Sequence, residues 1–159
     1  MGDSLSESTL TQSEVINRVV NLFEENMPFN QLLGVRFVTE DDSIRLEVPW
    51  DDKLTGNPLQ KILHGGVTAS LLDTIGGLTA ILSAVKQTQD RHLAALVERL
   101  PTMGTVDMRV DYLRPGRGKR FIATAQVIRK GSRVAVCRME LHNERGDHIA
   151  FGTGTYMLG

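Results

Sequence analysis

One carboxylate stands alone in the most apolar stretch of the chain, ILHGGVTASLLDTIGGLTAIL, residues 62–82. Asp73 is the only Asp, Glu, Lys or Arg in this stretch. An ionised carboxylate is expensive to bury without a partner, and an Asp side chain is too short to reach solvent as Lys and Arg do. A structural Asp held by neighbouring hydroxyls, such as those of Thr74 or Ser70, is one explanation. Since Leu or Ala would stabilise the same helix better, the pattern favours a functional carboxylate.

His64, Gly65 and Gly66 stand where this stretch enters a predicted helix. The first backbone N–H groups of a helix have no partner within the helix, and the helix dipole adds positive potential there. Such N–H groups stabilise a carbonyl oxygen that develops negative charge, which is the chemistry of an oxyanion hole. A plain helical turn with a solvated His is the alternative. The isolated Asp73 further along the helix favours the catalytic interpretation.

Basic residues gather on two predicted turns between strands. One group, in YLRPGRGKR, contains Arg114 and Arg117, and the other surrounds the next turn and contains Lys130 and Arg133. Guanidinium and ammonium groups hold phosphates well. A solvated surface is the more common explanation of such clusters, and a phosphate-bearing substrate is the functional one.

The composition excludes several other functions. The chain has 159 residues, which suits one domain with a sizeable core, and its formal net charge of −1 and 5% aromatic content give no support for nucleic-acid binding. His92, His142 and His148 show no metal-ligand spacing, and no phosphate-binding loop or dinucleotide motif occurs, so we expect no metal and no cofactor. The single Cys137 and the lack of a secretory signal pattern indicate a cytoplasmic protein.

The first eleven residues are polar and are predicted to be mobile. They begin MGDSLS, which matches a loose myristoylation pattern at Gly2 and Ser6, but no basic patch supplies a second membrane signal. We therefore expect no membrane anchor. Residues 12–159 are predicted to form one domain.

Periodicity predicts one long buried helix among strands. A capping-box pattern at Thr11 and Glu14 begins a helix of about Gln12 to Asn26, and the central helix is predicted at about Gly65 to Lys86. An antiparallel sheet wrapped around the central helix satisfies the order of elements, which gives an α+β fold. The other predicted elements are a short helical turn in FNQLLG, a hairpin over about residues 35–48, the loop PWDDKLTGNPLQKI, a short helix near residues 89–100 and four strands over about residues 105–158.

The central helix has no face suited to solvent. Large aliphatic residues occupy one face, and small residues surround Asp73 on the other, so the helix must be covered on both sides. An aliphatic pocket lined by residues such as Leu33, Leu71 and Ile75 would accept a fatty chain. An aryl group is the alternative ligand.

Three segments, HGGVTASLLDTIGG, TVDMRVDYLRPG and ATAQVIRKGSRVAVCRMEL, together resemble the PaaI-like branch of the hot-dog-fold acyl-CoA thioesterases. The similarity extends in order over about residues 30–158. It implies a curled antiparallel sheet around a long central helix, to which this chain adds an N-terminal helix. It also implies homodimers that often pair into homotetramers, and hydrolysis of acyl-CoA without a metal or any cofactor beyond the CoA of the substrate.

The resemblance assigns roles to individual residues. Asp73 becomes the general base or the nucleophile, and the Gly65 N–H polarises the thioester carbonyl beside His64. Thr105 assists at the start of the next strand. The Asn that precedes His-Gly-Gly in the family corresponds to Asn57, which stands seven positions before the histidine. The predicted substrate-binding residues are Gly66, Arg114, Arg117, Lys130 and Arg133.

The predicted function is an acyl-CoA thioesterase that acts on fatty acyl-CoA. The alternatives are a non-catalytic acyl-CoA-binding regulator and a hot-dog dehydratase or hydratase, which pairs a His with a carboxylate. Gly65 and Asp73 are eight residues apart on one helix, about 12 Å along its axis. They cannot both act on one carbonyl, so we expect two chains to share each site. The helix near residues 89–100 either covers the acyl pocket or extends the interface between subunits.

Overall fold

Six antiparallel strands form the main layer of the computed structural model, which describes residues 9–159. Within those residues the strands are β1 Arg36–Glu40, β2 Ser43–Pro49, β3 Thr55–Asn57, β4 Ile62–Leu63, β5 Gly104–Tyr112, β6 Arg120–Lys130, β7 Val134–Asn143 and β8 His148–Met157. The main sheet has the order β1-β2-β6-β7-β8-β5. Along β7, buried and half-exposed residues alternate strictly, so one face of the sheet turns to the core.

A long helix lies across the inner face of this sheet. The described helices are α1 Gln12–Glu25, α2 Pro28–Leu33, α3 Gly65–Lys86 and α4 Leu93–Arg99. α3 contacts β2, β5, β6, β7 and β8, and Leu71, Ile75 and Leu78 on its sheet side are fully buried. Its length and its mean hydropathy of 1.4 would suffice for a membrane span, but half of that window is buried within the fold. A sheet around a long central helix confirms the predicted architecture.

α1 covers the second side of α3. Its N-terminus is a complete capping box, because the Glu14 N–H donates to Thr11 Oγ1 at 3.2 Å and the Thr11 N–H donates to Glu14 Oε2 at 2.9 Å. Val15 and Val19 are buried beneath this helix, and Leu10 just before it packs against the core. The predicted extra N-terminal helix is thus confirmed and forms part of the core.

The pattern at Gly2 and Ser6 lies outside the described residues, as does most of the segment 1–11.

Proline and glycine delimit the next element. Pro28 occupies the first turn of α2, where its missing N–H is not needed, and Gly34 ends α2 with a φ of 77°.

The segment predicted as one plain loop, residues 49–62, contains regular structure. A 3-10 turn at Asp52–Leu54 is followed by β3 and β4, which form a separate two-stranded sheet. The loop prediction was wrong because strands of three and two residues are too short to show a period of two. Gly56 allows this small sheet to approach α3, since a Cβ at Gly56 would lie 2.5 Å from the His64 Cα.

β5 occupies an edge of the main sheet. It pairs with β8 on one side, and no described strand pairs with its other side. The register shifts between Thr105 and Asp107, which marks a bulge near the start of the strand. α4, anchored by the buried Leu93 and Leu96, and the residues after it lead the chain into this edge strand.

Candidate active site

His64 is the N-cap residue of α3 and caps the helix with its side chain. Its Nδ1 accepts a hydrogen bond from the Gly66 N–H at 2.8 Å. Its own backbone N–H donates to the Leu54 carbonyl, also at 2.8 Å, which holds it against the preceding loop. A neutral ring that accepts at Nδ1 carries its proton on Nε2, so the exposed edge of His64 is a hydrogen-bond donor.

The N–H of Gly65 is the free donor at this end of α3. No described residue accepts a hydrogen bond from it, whereas the Gly66 N–H is occupied by the cap and the next two N–H groups bond back to the His64 carbonyl. The Gly65 carbonyl accepts the Tyr112 hydroxyl at 2.7 Å, which ties the first turn to the end of β5. Of the two glycines, only Gly65 therefore presents an N–H to a substrate.

Asp73 lies two turns further along α3, with its carboxylate directed at the start of β5. Asp73 Oδ1 accepts a hydrogen bond from Thr105 Oγ1 at 2.8 Å. The Tyr156 hydroxyl lies 3.3 Å from the backbone carbonyl of Asp73 and donates to it. Burial of Tyr156, together with the nearby Asp73 carboxylate, raises the pKa of its phenol, so the hydroxyl stays protonated. Side chain and backbone of Asp73 are thus each held by one hydroxyl.

The two neighbouring hydroxyls that would hold a structural Asp73 have other partners. Ser70 Oγ donates to the Gly66 carbonyl at 2.7 Å, and Thr74 Oγ1 lies 3.4 Å from Asn30 Oδ1. These hydroxyls therefore do not explain Asp73, because a helical Ser bonds readily to the carbonyl four residues earlier, and Thr74, which follows Asp73, projects in another direction.

A mostly apolar cavity of about 190 Å³ opens beside Asp73. It is lined by Phe23, Met27, Asp73, Thr74, Gly77, Ile81, Met103, Gly104, Thr105, Tyr156, Met157 and Leu158. The expected pocket residues Leu33, Leu71 and Ile75 do not line it, since they are buried in the core. That prediction was wrong because periodicity identifies an apolar face without telling whether a sheet or a ligand covers it.

Asn57 lies in β3 beside the start of α3. Its Oδ1 accepts a hydrogen bond from the Leu59 N–H at 3.1 Å, and its carbonyl accepts from the N–H groups of Gln60 and Lys61. The side chain thereby shapes the turn before β4, at the same end of α3 as Gly65.

Arg114 and Arg117 belong to this end as well, on the loop that follows β5. Arg117 donates to the Gln60 carbonyl at 2.8 Å and to its side-chain oxygen at 3.1 Å. Arg114 Nη1 lies 3.9 Å from an Asp147 carboxylate oxygen on the surface. The Leu63 N–H donates to the carbonyl of Gly116 in the same loop. The loop is therefore fixed next to the residue that precedes His64.

Lys130, the last residue of β6, and Arg133, on the turn before β7, lie at the opposite end of the sheet. The Arg133 carbonyl accepts the Leu158 N–H at 2.7 Å, and Leu158 lines the Asp73 cavity. Within residues 9–159, neither basic side chain takes part in an ion pair. Thr105 and Tyr112 mark the two ends along β5, about 24 Å apart at the rise of an antiparallel strand.

One chain thus carries two half-sites. The amide half-site consists of His64, Gly65 and the loop 113–119, and the carboxylate half-site consists of Asp73, Thr105 and the cavity. Their central groups are about 12 Å apart along α3. A reacting carbonyl and its nucleophile must approach to about 3 Å, so a site that used both groups would need a second chain.

Two tyrosines escaped the sequence reasoning. Tyr112 holds the Gly65 carbonyl and Tyr156 holds that of Asp73. They are the only two tyrosines in the chain, and each hydroxyl reaches a backbone carbonyl of α3, although Tyr112 itself is more than half exposed. A Tyr hydroxyl that turns inward normally finds a partner, and this preference is the signal that could have identified them.

The sequence spacing of His142 and His148 gives no sign that they meet, but the pairing of β7 with β8 places them opposite each other. Their rings stack with centroids 4.4 Å apart and planes at 8°, and with Glu140 their donor atoms lie within 4.8 Å of one another. The Glu140 carboxylate lies 3.7 Å from His148 Nε2 and 4.0 Å from the Arg138 guanidinium, so a protein cation already faces it. We assign no metal chemistry to this cluster.

Comparison with known proteins gives a consistent result. The family model of the thioesterase superfamily matches residues 60–150. The medium/long-chain acyl-CoA thioesterase YigI of Escherichia coli is 44% identical over 153 residues, which cover 96% of this chain and 99% of that protein.

Solved structures agree with this relationship. A Shewanella oneidensis protein related to the thioesterase superfamily superimposes with a TM-score of 0.89 at 54% identity, covering 93% of this chain and 97% of that one. The PaaI protein of Escherichia coli gives a TM-score of 0.69 at 21% identity, covering 92% and 95% of the two chains, and shows the same fold.

Proposed function

This chain belongs to the thioesterase superfamily, and we propose that it hydrolyses fatty acyl-CoA to free fatty acid and CoA with Asp73 as its catalytic carboxylate. The family predicted from sequence is confirmed. The observation that carries the catalytic assignment is the bond from Thr105 to Asp73 at 2.8 Å, at the mouth of an otherwise mostly apolar cavity. A medium- or long-chain substrate is supported by the activity named for the Escherichia coli relative.

Hydrolysis of a thioester needs a polarised carbonyl and an activated nucleophile. The free Gly65 N–H donates to the thioester oxygen and stabilises the negative charge that develops on it, with the Nε2–H of His64 alongside. Asp73 then takes a proton from a water molecule that attacks the carbonyl carbon. The C–S bond breaks, and the proton returns to the sulfur of CoA.

Direct attack by Asp73 is the alternative step. It forms a mixed anhydride and releases CoA, and water then hydrolyses the anhydride to the free acid. In both cases Thr105 holds the carboxylate at the position where it reacts.

Self-association would complete the site. Antiparallel pairing of the free edges of two β5 strands about a two-fold axis places the Thr105 end of one beside the Tyr112 end of the other. Each carboxylate half-site then meets the amide half-site of the partner chain. Since an unpaired strand edge invites such pairing, we propose a homodimer built on β5, with dimers able to pair into tetramers.

The same pairing gathers the basic residues. Arg114 and Arg117 of one chain come to the same end of the continuous sheet as Lys130 and Arg133 of the other. The phosphates of CoA are the ligand that these charges suit.

The mechanism uses no metal and no cofactor beyond CoA itself. The free Cys137 fits the reducing cytoplasm, where we place the enzyme.

The test is release of CoA thiol from a panel of acyl-CoA esters of four to sixteen carbons. We expect Asp73→Asn to lower kcat by about 100- to 10,000-fold while acyl-CoA still binds, because the amide keeps the size of the side chain and loses its basicity. Asp90→Asn is the matched control, since Asp90 is exposed and follows the C-terminal end of α3, away from Asp73.

Three other results would each contradict the proposal. Binding without turnover by the unmodified protein would indicate a regulator. Reversible loss of water from a hydroxyacyl thioester would indicate a dehydratase. Near wild-type turnover by a folded Asp73→Asn variant would remove Asp73 from catalysis.

A further inference from the structure

Gly76 and Gly77 lie side by side in the middle of α3, where each glycine destabilises a helix by about 1 kcal/mol relative to alanine. Packing explains the first of them. A Cβ at Gly76 would lie 2.3 Å from Tyr156 Oη and 3.0 Å from Met139 Sδ, so no side chain fits there. Gly76 therefore makes room for the tyrosine that holds the Asp73 carbonyl.

Packing does not explain Gly77. A Cβ at this position would meet only two ring carbons of Tyr156, at 3.5 and 3.6 Å, which is ordinary van der Waals contact. An alanine would fit the described structure and would favour the helix. Another requirement must therefore account for glycine at this position.

The space above Gly77 is the cavity beside Asp73. Gly77 is four residues after Asp73 and Ile81 is four residues after Gly77, so the three share one stripe of α3. All three line the cavity, together with Phe23 of α1 and Met27 at the start of α2. A ligand that extends from Asp73 along this stripe passes directly over Gly77.

We propose that this stripe is the floor of the acyl channel and that Gly77 sets the length of chain the enzyme accepts. The inference rests on the proposed thioesterase function, which places the acyl carbonyl at Asp73. At roughly 30 Å³ per methylene, close to the volume of one water in the liquid, 190 Å³ holds about six methylene groups. The channel thus suits a medium aliphatic chain.

Both flexible and stiff side chains line the proposed channel. Met27 and Met103 are unbranched and adapt to ligands of different length, while Ile81 is β-branched and stiff. α1 and the connector from α4 to β5, which carries Met103, both contribute walls. The helix inserted after α3 thus leads into a wall of the channel.

The experiment compares Gly77→Ala and Gly77→Val with the wild type on acyl-CoA esters of four to sixteen carbons. A methyl group in a hydrophobic pocket changes discrimination by about tenfold or more. We expect Gly77→Ala to lower kcat/KM about tenfold for esters of ten or more carbons and less than twofold for the four-carbon ester. Gly77→Val should shift the preferred length further in the same direction.

Stability separates this effect from damage to the fold. Gly77→Ala should melt at or above the wild-type temperature, since alanine favours the helix. Ser83→Ala is the matched control, because Ser83 is also half-buried on α3 but does not line this cavity, and its length profile should match the wild type. A folded Gly77→Ala variant with an unchanged length profile, or with equal losses at every length, overturns the proposal.

A binding measurement keeps the channel testable apart from catalysis. If the wild type releases no CoA from any ester, the proposed function fails, and the channel is then tested by titration with saturated fatty acids of six to fourteen carbons. Weaker binding of the longer acids to Gly77→Ala than to the wild type supports the channel. Equal binding, or none to either protein, overturns it.

Discussion

A mixture of two inactive variants should recover activity if two chains share each site. Gly65→Pro removes the free N–H of the amide half-site, and Asp73→Ala removes the carboxylate. The proline is compatible with the fold. Gly65 is the first residue of α3, where proline is tolerated, and His64 already has the extended backbone, φ −61° and ψ 134°, that a residue before proline prefers.

The expected magnitudes follow from the separation of the two groups. Loss of one oxyanion donor lowers kcat by about 100- to 1,000-fold, and loss of the carboxylate should lower it at least as much, so each homodimer is nearly inactive. Random refolding of an equal mixture makes half the dimers mixed. In a mixed dimer, one of the two sites receives an intact Gly65 from one chain and an intact Asp73 from the other. About a quarter of wild-type activity should return.

The assay is CoA release after co-refolding, with differently tagged chains to isolate mixed dimers, which should show about half the wild-type activity. Gly65→Ala is the matched control, because it keeps the N–H and its Cβ would meet the Tyr112 ring at 3.4–3.5 Å. If both half-sites of one chain served the same carbonyl, every site in a mixed dimer would contain one defect. Isolated mixed dimers as inactive as their parents would therefore refute the shared site.

Three further perturbations have defined outcomes. Replacing Arg114 and Arg117 with alanine should raise KM for acyl-CoA roughly 30-fold, at about 1 kcal/mol for each exposed charge on a phosphate, and leave a thioester without the nucleotide unaffected; equal effects on both substrates would exclude a phosphate role. Burial raises the pKa of the Cys137 thiol to about 11, so thiol reagents at pH 8 should label it only after unfolding, and rapid labelling of the native protein would contradict its burial. Burial and the adjacent His148 lower the pKa of His142 below 6.5, so the unfolded chain binds the extra proton and stability should fall as the pH drops through 6.5. His142→Gln should reduce that loss, measured as the difference in melting temperature between pH 7.5 and 5.5, and an unchanged difference would argue against it.

Much of the framework could be predicted from local patterns. The capping box at Thr11 and Glu14 and the period of α3 depend on residues close in sequence, and both have their expected geometry in the structure. The resemblance placed Thr105 in the site, but its hydrogen bond to Asp73 joins residues 32 positions apart and comes from the structure alone. The stacking of His142 on His148 depends on strand register, which periodicity alone does not determine.

The acyl pocket shows most clearly why sequence reasoning stopped short. Leu71 and Ile75 were placed in a pocket because they are large and apolar, but the sheet covers them completely. The cavity is instead floored by Gly77, a residue without a side chain, whose importance emerges only from the space above it. A glycine has no side chain, so it adds nothing to the hydrophobic pattern from which a pocket would be predicted.

Strand β5 links the two half-sites, and in the proposed dimer it would couple assembly to catalysis. Thr105 near its start holds the Asp73 carboxylate, and Tyr112 at its end holds the first turn of α3 beside the Gly65 N–H. Both side chains occupy the face of the strand that turns toward α3, so the free edge remains available for pairing. In the proposed dimer, antiparallel pairing of the two β5 edges completes two sites at once, since the Thr105 end of each strand meets the Tyr112 end of the other. A change in the register between the two β5 strands would therefore displace both half-sites together. The catalytic geometry of the proposed dimer thus depends on how this strand pairs.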